Sequence, residues 1–296
     1  MNAMRQGATP KRPRPRPDYH TILVNDHTAS FVVFQATAAA MLGGAILSML
    51  VAASATFGAN DMASSGKIAY SATLSAAICS VAYVNYSAMT STRLRTIKLC
   101  RANKRYAQQS SGGEACASEE QLDGFVITAL RYSDWVVTLP LLALKLFGLA
   151  CDGPSPLTTP LLLWTYIHAL LGGVTMLMIV FGFVSLLATG DFEGARTDSI
   201  GSGLVRWLLC LMGTGCLAFV YYVLFTAAHE TQSVHAIEVI GFSLVWVLYP
   251  VVFVLQVFQI GSTYKDIAFA ILDVLSKPLL SVYLAQAALK ASMLVG

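Results

Sequence analysis

Charge is what this chain has least of. Of its 296 residues only 12% are Asp, Glu, Lys or Arg, against 56% hydrophobic, whereas a soluble domain carries about 25% charged residues. A soluble enzyme of this size needs a charged shell that the sequence does not supply, and the chain is read as a non-enzyme. Cysteine is also sparse. Six residues make no disulfide framework, and no metal site is expected from them. Cys79, Cys210 and Cys216 fall in apolar runs and read as small core residues, while Cys100 and Cys116 share one polar loop and could pair. The same composition excludes disorder, collagen and coiled coil. The net charge of +3 says little alone.

What the sequence has instead is long stretches with no ionisable side chain. Runs free of Asp, Glu, Lys and Arg cover 27–60, 68–92, 153–190, 207–229 and 239–264. Each can supply the roughly 20 apolar residues that cross a hydrocarbon core. Two further apolar regions, 124–151 and 267–294, have the right length but carry charges inside. Barrel strands would be about 10 residues long and alternating, and these runs are neither. The first run also exceeds the roughly 7–15 apolar residues of a signal peptide, so it reads as a retained helix. The expected architecture is an all-α membrane protein, a bundle of seven transmembrane helices.

Helices are expected over about 29–54, 67–91, 123–150, 157–188, 202–228, 236–260 and 265–293. Residues 1–27 form a basic, Pro/Arg-rich tail and 28–296 one seven-helix domain. Alternating Pro in the tail favours an extended chain, and a short basic run beside a membrane meets lipid headgroups more readily than nucleic acid. No nucleic-acid partner is expected; the partners are the bilayer and, for a bundle of this kind, further copies of the chain. Residues 92–122 read as the longest loop, basic at first and acidic at its end.

Five ionisable residues lie at membrane depth: Arg131, Asp134 and Lys145 on the third helix, Asp273 and Lys277 on the seventh. Such residues are costly, by about 2.5–3.5 kcal/mol each on insertion scales, and are functional candidates by default. Asp273 and Lys277 are spaced i, i+4, and Arg131 and Asp134 i, i+3, so each pair shares a helix face. Facing each other, the four make a neutral buried quartet, the least costly way to keep charge in lipid. The plain alternative is a structural salt bridge. A buried lysine amine can also form a Schiff base with an aldehyde, with the two carboxylates at hand as counterions. On the sixth helix Trp246, Tyr249, Pro250 and Phe253 recur at helical spacing, a pattern that suits packing as well as a flat apolar ligand.

These segments resemble a known family. Arg131-Tyr132-Ser133-Asp134-Trp135-Val136-Val137-Thr138-Leu139-Pro140-Leu141-Leu142 resembles the third-helix signature of microbial (type 1) rhodopsins. Trp246-Val247-Leu248-Tyr249-Pro250-Val251-Val252-Phe253 resembles their sixth helix, and Asp273-Val274-Leu275-Ser276-Lys277 their retinal-lysine motif. The motifs come in the family's order and the resemblance spans roughly 28–294. It is closest to proteorhodopsin-like proton pumps with lysine at the donor position.

The resemblance implies a photoreceptor with all-trans retinal bound at the centre of the bundle and attached to Lys277. It implies Asp134 as counterion and proton acceptor, Asp273 as second counterion, Arg131 as a gate on the release side and Thr138 as the hydroxyl bonded to the acceptor. It gives the retinal pocket to Tyr83, Trp135, Leu142, Trp246, Tyr249, Pro250, Phe253 and Ser276. Tyr83 is matched to the tyrosine near the counterions, and Leu142 to a colour-tuning position where Leu suggests green absorption. Lys145 stands where most pumps place a reprotonating carboxylate and a minority place lysine. The plain reading of Lys145 is a side chain that reaches out to the interface beside Asp152.

Asp134 argues against chloride and sodium pumps of the family, and the absence of helix-2 glutamates against a cation channel. Phe253, Leu139 and Ala82 depart from the family pattern, and Lys265 and Asp266 stand at the release-side mouth in place of a clear glutamate pair. The implied function is light-driven proton transport, with a non-transporting photosensor as the rival and a light-gated channel third. The implied location is an integral, multi-pass protein of the plasma membrane. Orientation is contested: 14 Lys and Arg fall on the N-terminal side, which the positive-inside rule places in the cytoplasm, whereas the family places it outside. An inverted chain would pump inward.

Overall fold

The computed structural model describes residues 19–57, 62–106, 113–150, 161–189, 200–230, 236–257, 262–279 and 282–283. Among these residues there are seven helices: α1 (Tyr19–Phe57), α2 (Met62–Tyr106), α3 (Gly113–Ala150), α4 (Leu161–Thr189), α5 (Ile200–Glu230), α6 (Ala236–Val257) and α7 (Ser262–Ser276). In hydrocarbon each backbone N–H needs a partner within its own segment, and a helix provides that. The many hydroxyls follow the same logic. Thr28, Thr37, Thr73, Thr90 and Thr175 each donate to the carbonyl four residues back.

Each helix packs against the next and α7 returns to α1, closing a ring, while α3 also reaches α5 and α6. This is the expected seven-helix bundle. Five helices carry spans long and apolar enough to cross a bilayer: Val24–Thr56, Ile68–Ala102, Leu122–Gly148, Tyr166–Leu187 and Leu204–Glu230. The outer faces are apolar, as Leu50 on α1, Val84 on α2 and Leu204 and Leu211 on α5 show. Between α1 and α2 the contact is lined by small residues, among them Ala38, Ala45, Ala72 and Ala76, which allow close backbone approach.

Three boundaries differ from the sequence reading. First, α1 starts at Tyr19, inside the stretch read as tail; residues 1–18 of that tail lie outside the described residues. Second, the loop expected over 92–122 is largely helix, because α2 continues to Tyr106 and α3 begins at Gly113. Charge marks where lipid ends, not where a helix ends, and 92–106 contain no Gly or Pro to stop the helix. Cys100 is buried on this extension, and Cys116 falls where side chains are not described. Third, the segment α7 is interrupted after Ser276: Lys277 is a turn residue, and Pro278 and Leu279 are helical again. Pro278 is the cause: it has no N–H for the ladder and disfavours the helical conformation of the residue before it.

Candidate functional site

The inner face of α3 presents Ile127, Arg131, Asp134, Trp135, Thr138, Leu142, Lys145 and Leu146, all buried, at successive turns. Opposite stands α7 with Asp266, Phe269, Asp273, Ser276 and Lys277, also buried. The periodicity that placed these residues on one face of each helix therefore turns both sets toward the bundle interior.

Lys277 Nζ donates to Asp134 Oδ2 and lies 3.1 Å from Asp273 Oδ1. Its backbone N–H donates to the Asp273 carbonyl at 3.0 Å, so the turn that carries the amine is still tied to α7. Asp273 is the more heavily held carboxylate. Oδ2 accepts from the Tyr86 hydroxyl at 2.6 Å, and Oδ1 accepts from the Tyr249 hydroxyl at 2.6 Å and from Trp135 Nε1 at 3.3 Å. Tyr249 also shares a 3.0 Å hydrogen bond with Ser276. Asp134 is different: its Oδ1 is buried with no hydrogen-bond partner, and so is Thr138 Oγ1 one turn on. The two are not bonded to each other, contrary to the role that the resemblance gives Thr138.

The expected quartet divides. Arg131 Nη2 donates to Asp266 Oδ1 at 2.8 Å, and Arg93 Nη2 to Asp266 Oδ2 at 3.0 Å. Arg93 Nη1 also lies 3.1 Å from His27 Nδ1. Arg131 is further flanked by the Phe269 ring at 5.1 Å and the Phe34 ring at 6.0 Å, within cation–π range. Nearby on α2, Thr96 donates to the buried Asp123. Six charges thus replace four: Lys277 with Asp134 and Asp273 carries one excess negative charge, and Arg131 and Arg93 with Asp266 one excess positive. Their sum remains neutral, which is what burial requires.

Tyr86, not Tyr83, is the tyrosine that meets the charge cluster, through Asp273. The two lie three residues apart on α2, and Tyr83 is turned away and only partly buried against the α1–α2 side. Arg93 was read as a loop cation and is among the most buried side chains. Its signal was the α2 buried face itself, since Tyr86, Met89, Arg93 and Thr96 continue one helical stripe. Asp266, read as a residue of the release-side mouth, is the buried anion that both arginines share.

Trp135, Trp246, Tyr249 and Pro250 line an apolar cavity among α3–α7, together with Tyr132, Phe269, Met178 and Leu217. Ring packing stiffens the walls: Trp135 meets Phe269 at 5.0 Å and Tyr249 at 5.4 Å between centroids. Two wall residues, Trp135 and Tyr249, are also donors to Asp273, so the cavity abuts the charge cluster. Trp246 Nε1 is buried without a hydrogen-bond partner. Leu142 lies in the same core. Ser276 and Lys277 stand beyond the cavity on the α7 side, and the side chain of Phe253 lies outside the described residues. Among the described residues no cluster of His, Cys, Asp or Glu could hold a metal ion.

Lys145 is buried, and its Nζ donates to Ser75 Oγ on α2. It does not reach out to the interface, as the plain sequence reading had it; Asp152, the partner named there, lies outside the described residues. The reason is its place on the inward stripe of α3, between the buried Ala143 and Leu146.

Comparison with known proteins agrees with the seven-helix fold. Among solved structures, the chain is similar to Exiguobacterium sibiricum rhodopsin, with a TM-score of 0.60 and 17% identity, covering 91% of this chain and 99% of that one. It is also similar to the proton pumping rhodopsin AR2 from the marine alga Acetabularia acetabulum, with a TM-score of 0.55 and 21% identity, covering 90% and 96%. No curated protein gives a significant sequence match. The bacteriorhodopsin-like protein family matches residues 35–291. With that match spanning most of its length, the chain belongs to the bacteriorhodopsin-like family, integral membrane proteins with several spans whose members bind retinal.

Proposed function

We propose that this protein is a light-driven proton pump of the proteorhodopsin-like kind, with all-trans retinal attached to Lys277 and Lys145 as internal donor. The observation that carries the reading is the direct contact of a buried amine, Lys277, with Asp134, while a second buried amine, Lys145, stands in the other half of the bundle. The name of the Acetabularia relative, a proton-pumping rhodopsin, supports it.

The residues fit the chromophore. An apolar, aromatic-walled cavity suits a long hydrocarbon, and it ends at the donors that hold Asp273, one of Lys277's two carboxylate partners. Trp135, Trp246, Tyr249 and Pro250 would form its walls, with Leu142 and Ser276 closing it near α3 and α7. Bound retinal supplies light absorption and a light-driven change of shape. The chain's own residues then divide the work. Asp273, held by Tyr86, Tyr249 and Trp135, remains a fixed negative charge. Asp134, with one oxygen on Lys277 Nζ and the other without a partner, is the carboxylate free to take the nitrogen's proton. Arg131, drawn to Asp266, leaves room for Asp134 to change charge. Lys145 then returns a proton from the opposite side, where its buried Nζ is bonded to Ser75 Oγ.

Residues 28–296 act as one unit in this reading, in the plasma membrane, with His27 on the side of the Arg131–Asp266 cluster. With the family orientation transport is outward. The test is illumination of a suspension of cells that contain the protein and retinal, with and without an uncoupler. An uncoupler-sensitive acidification is expected, and alkalinisation would report the inverted orientation. A light response of the pigment with no pH change would replace the pump by a photosensor.

A further inference from the structure

The helical ladder of α7 is interrupted at Lys277, a turn residue, and helix resumes at Pro278 and Leu279. The Lys277 N–H is bonded to the Asp273 carbonyl at 3.0 Å, and Pro278 has no N–H to extend the ladder. Beyond Lys277, the direction of the break is therefore set by whatever Pro278 rests on. Pro278 is buried, and its support comes from other helices. A Cβ placed on Gly44 of α1 would lie 2.8 Å from Pro278 Cβ, 3.2 Å from Pro278 Cα and 3.1 Å from Cys79 Sγ of α2. The neighbouring Gly43 has nothing within 4 Å of its own Cβ position. Of two consecutive glycines, then, one is needed for space and the other is not.

From this contact we infer that Gly44 is a positioning residue for Lys277: with Cys79 it forms a seat for Pro278 and so fixes the amine against Asp134. This rests on the reading of Lys277 as the retinal attachment site. A methyl at Gly44 cannot be absorbed cheaply. The Pro278 ring is closed onto the backbone and does not rotate away, so α1 or the α7 break must shift by about 0.7–1 Å to restore ordinary carbon contact. Lys277 Nζ is hydrogen-bonded to Asp134, so a shift of the break moves the amine out of that hydrogen-bond geometry. Ser75, which holds Lys145, is one turn from Cys79 on α2. The seat thus lies between the two lysines.

The test is the visible absorption maximum of purified protein with retinal. Gly44→Ala should move it to the red, the direction of a weakened counterion, by less than Asp134→Asn does. Gly43→Ala should leave it at the wild-type position. Adding Cys79→Ala to Gly44→Ala opens the second wall of the seat and should recover at least half of the shift. If Gly44→Ala yields no folded protein, the same double variant should restore a folded, coloured one, and failure to do so overturns the seat. An unchanged maximum in Gly44→Ala, or an equal shift in Gly43→Ala, also overturns it while leaving the attachment site intact. Wild-type protein with no visible band overturns the attachment reading, and this role with it.

Discussion

On the side of Lys277 toward Arg131, buried polar side chains follow one another as two linked groups: Tyr86, Tyr249 and Trp135 around Asp273, then Arg131, Asp266, Arg93 and His27. On the side toward Lys145, the buried residues between the charged ends are mostly hydrocarbon. On α2 they include Ile78 and Ala82, and on α3 Leu139, Leu142 and Ala143, with Lys145 and Ser75 beyond them. In the proposed pump, this difference sets where the two proton steps can be fast. In the polar half a proton leaving Asp134 meets oriented partners, and charge can shift with small movements. In the apolar half no ready chain joins Lys145 to Lys277, so that transfer requires opening of the structure or entry of water. The polar half is also the half that resists rearrangement, because each of its charges depends on a neighbour.

The comparison can be broken at its centre first. Lys277→Ala removes the amine that both halves serve, and protein purified with retinal should then show no visible band at all; a normal spectrum would end the account. Asp134→Asn removes the carboxylate that faces the polar half. Transport should vanish and the absorption maximum move to the red, as read by a pH electrode and a spectrometer.

The polar half is then tested by Asp266→Asn, which leaves two buried guanidiniums without their shared anion. Breaking such a pair costs about 3–5 kcal/mol, so thermal unfolding of the variant should begin well below that of the wild type. Equal stability would mean that the Arg93–Asp266–Arg131 bridge does not hold the bundle.

For the apolar half, Lys145→Ala should slow recovery of the dark state after a flash by about a hundredfold, the usual worth of a positioned acid or base. The dark spectrum should hardly change, since Lys145 lies 11 residues beyond Asp134, about 16 Å along a helix. An unchanged recovery rate would leave Lys145 with a structural role. Ser75→Ala removes only a neutral hydrogen-bond partner, worth about 1 kcal/mol, and should change the same rate by about fivefold.

Much of this was legible in the sequence because lipid enforces simple rules. Runs without charge marked the spans, and i, i+4 spacing put Asp273 and Lys277 on one face. What was not legible depends on distance between helices or on a fraction of a turn. Nothing in the sequence near Asp266 says that two arginines from α2 and α3 converge on it. Tyr83 and Tyr86 are equally aromatic and differ only in which way α2 is rotated. The basic stretch after Thr92 looked like a loop because composition reports solvent, while the helix there continues on its own propensity. Pro278 was legible and was passed over: a proline directly after Lys277 already signals the break in α7.

In the proposed pump, light moves the proton held at Lys277 onto Asp134. Flash-induced infrared difference spectroscopy in the carboxylic C=O stretch region tests it most directly. The account predicts a new band from a protonated carboxyl group that rises after the flash in the wild type and is missing in Asp134→Asn. No such band in the wild type, or the same band persisting in Asp134→Asn, would contradict it.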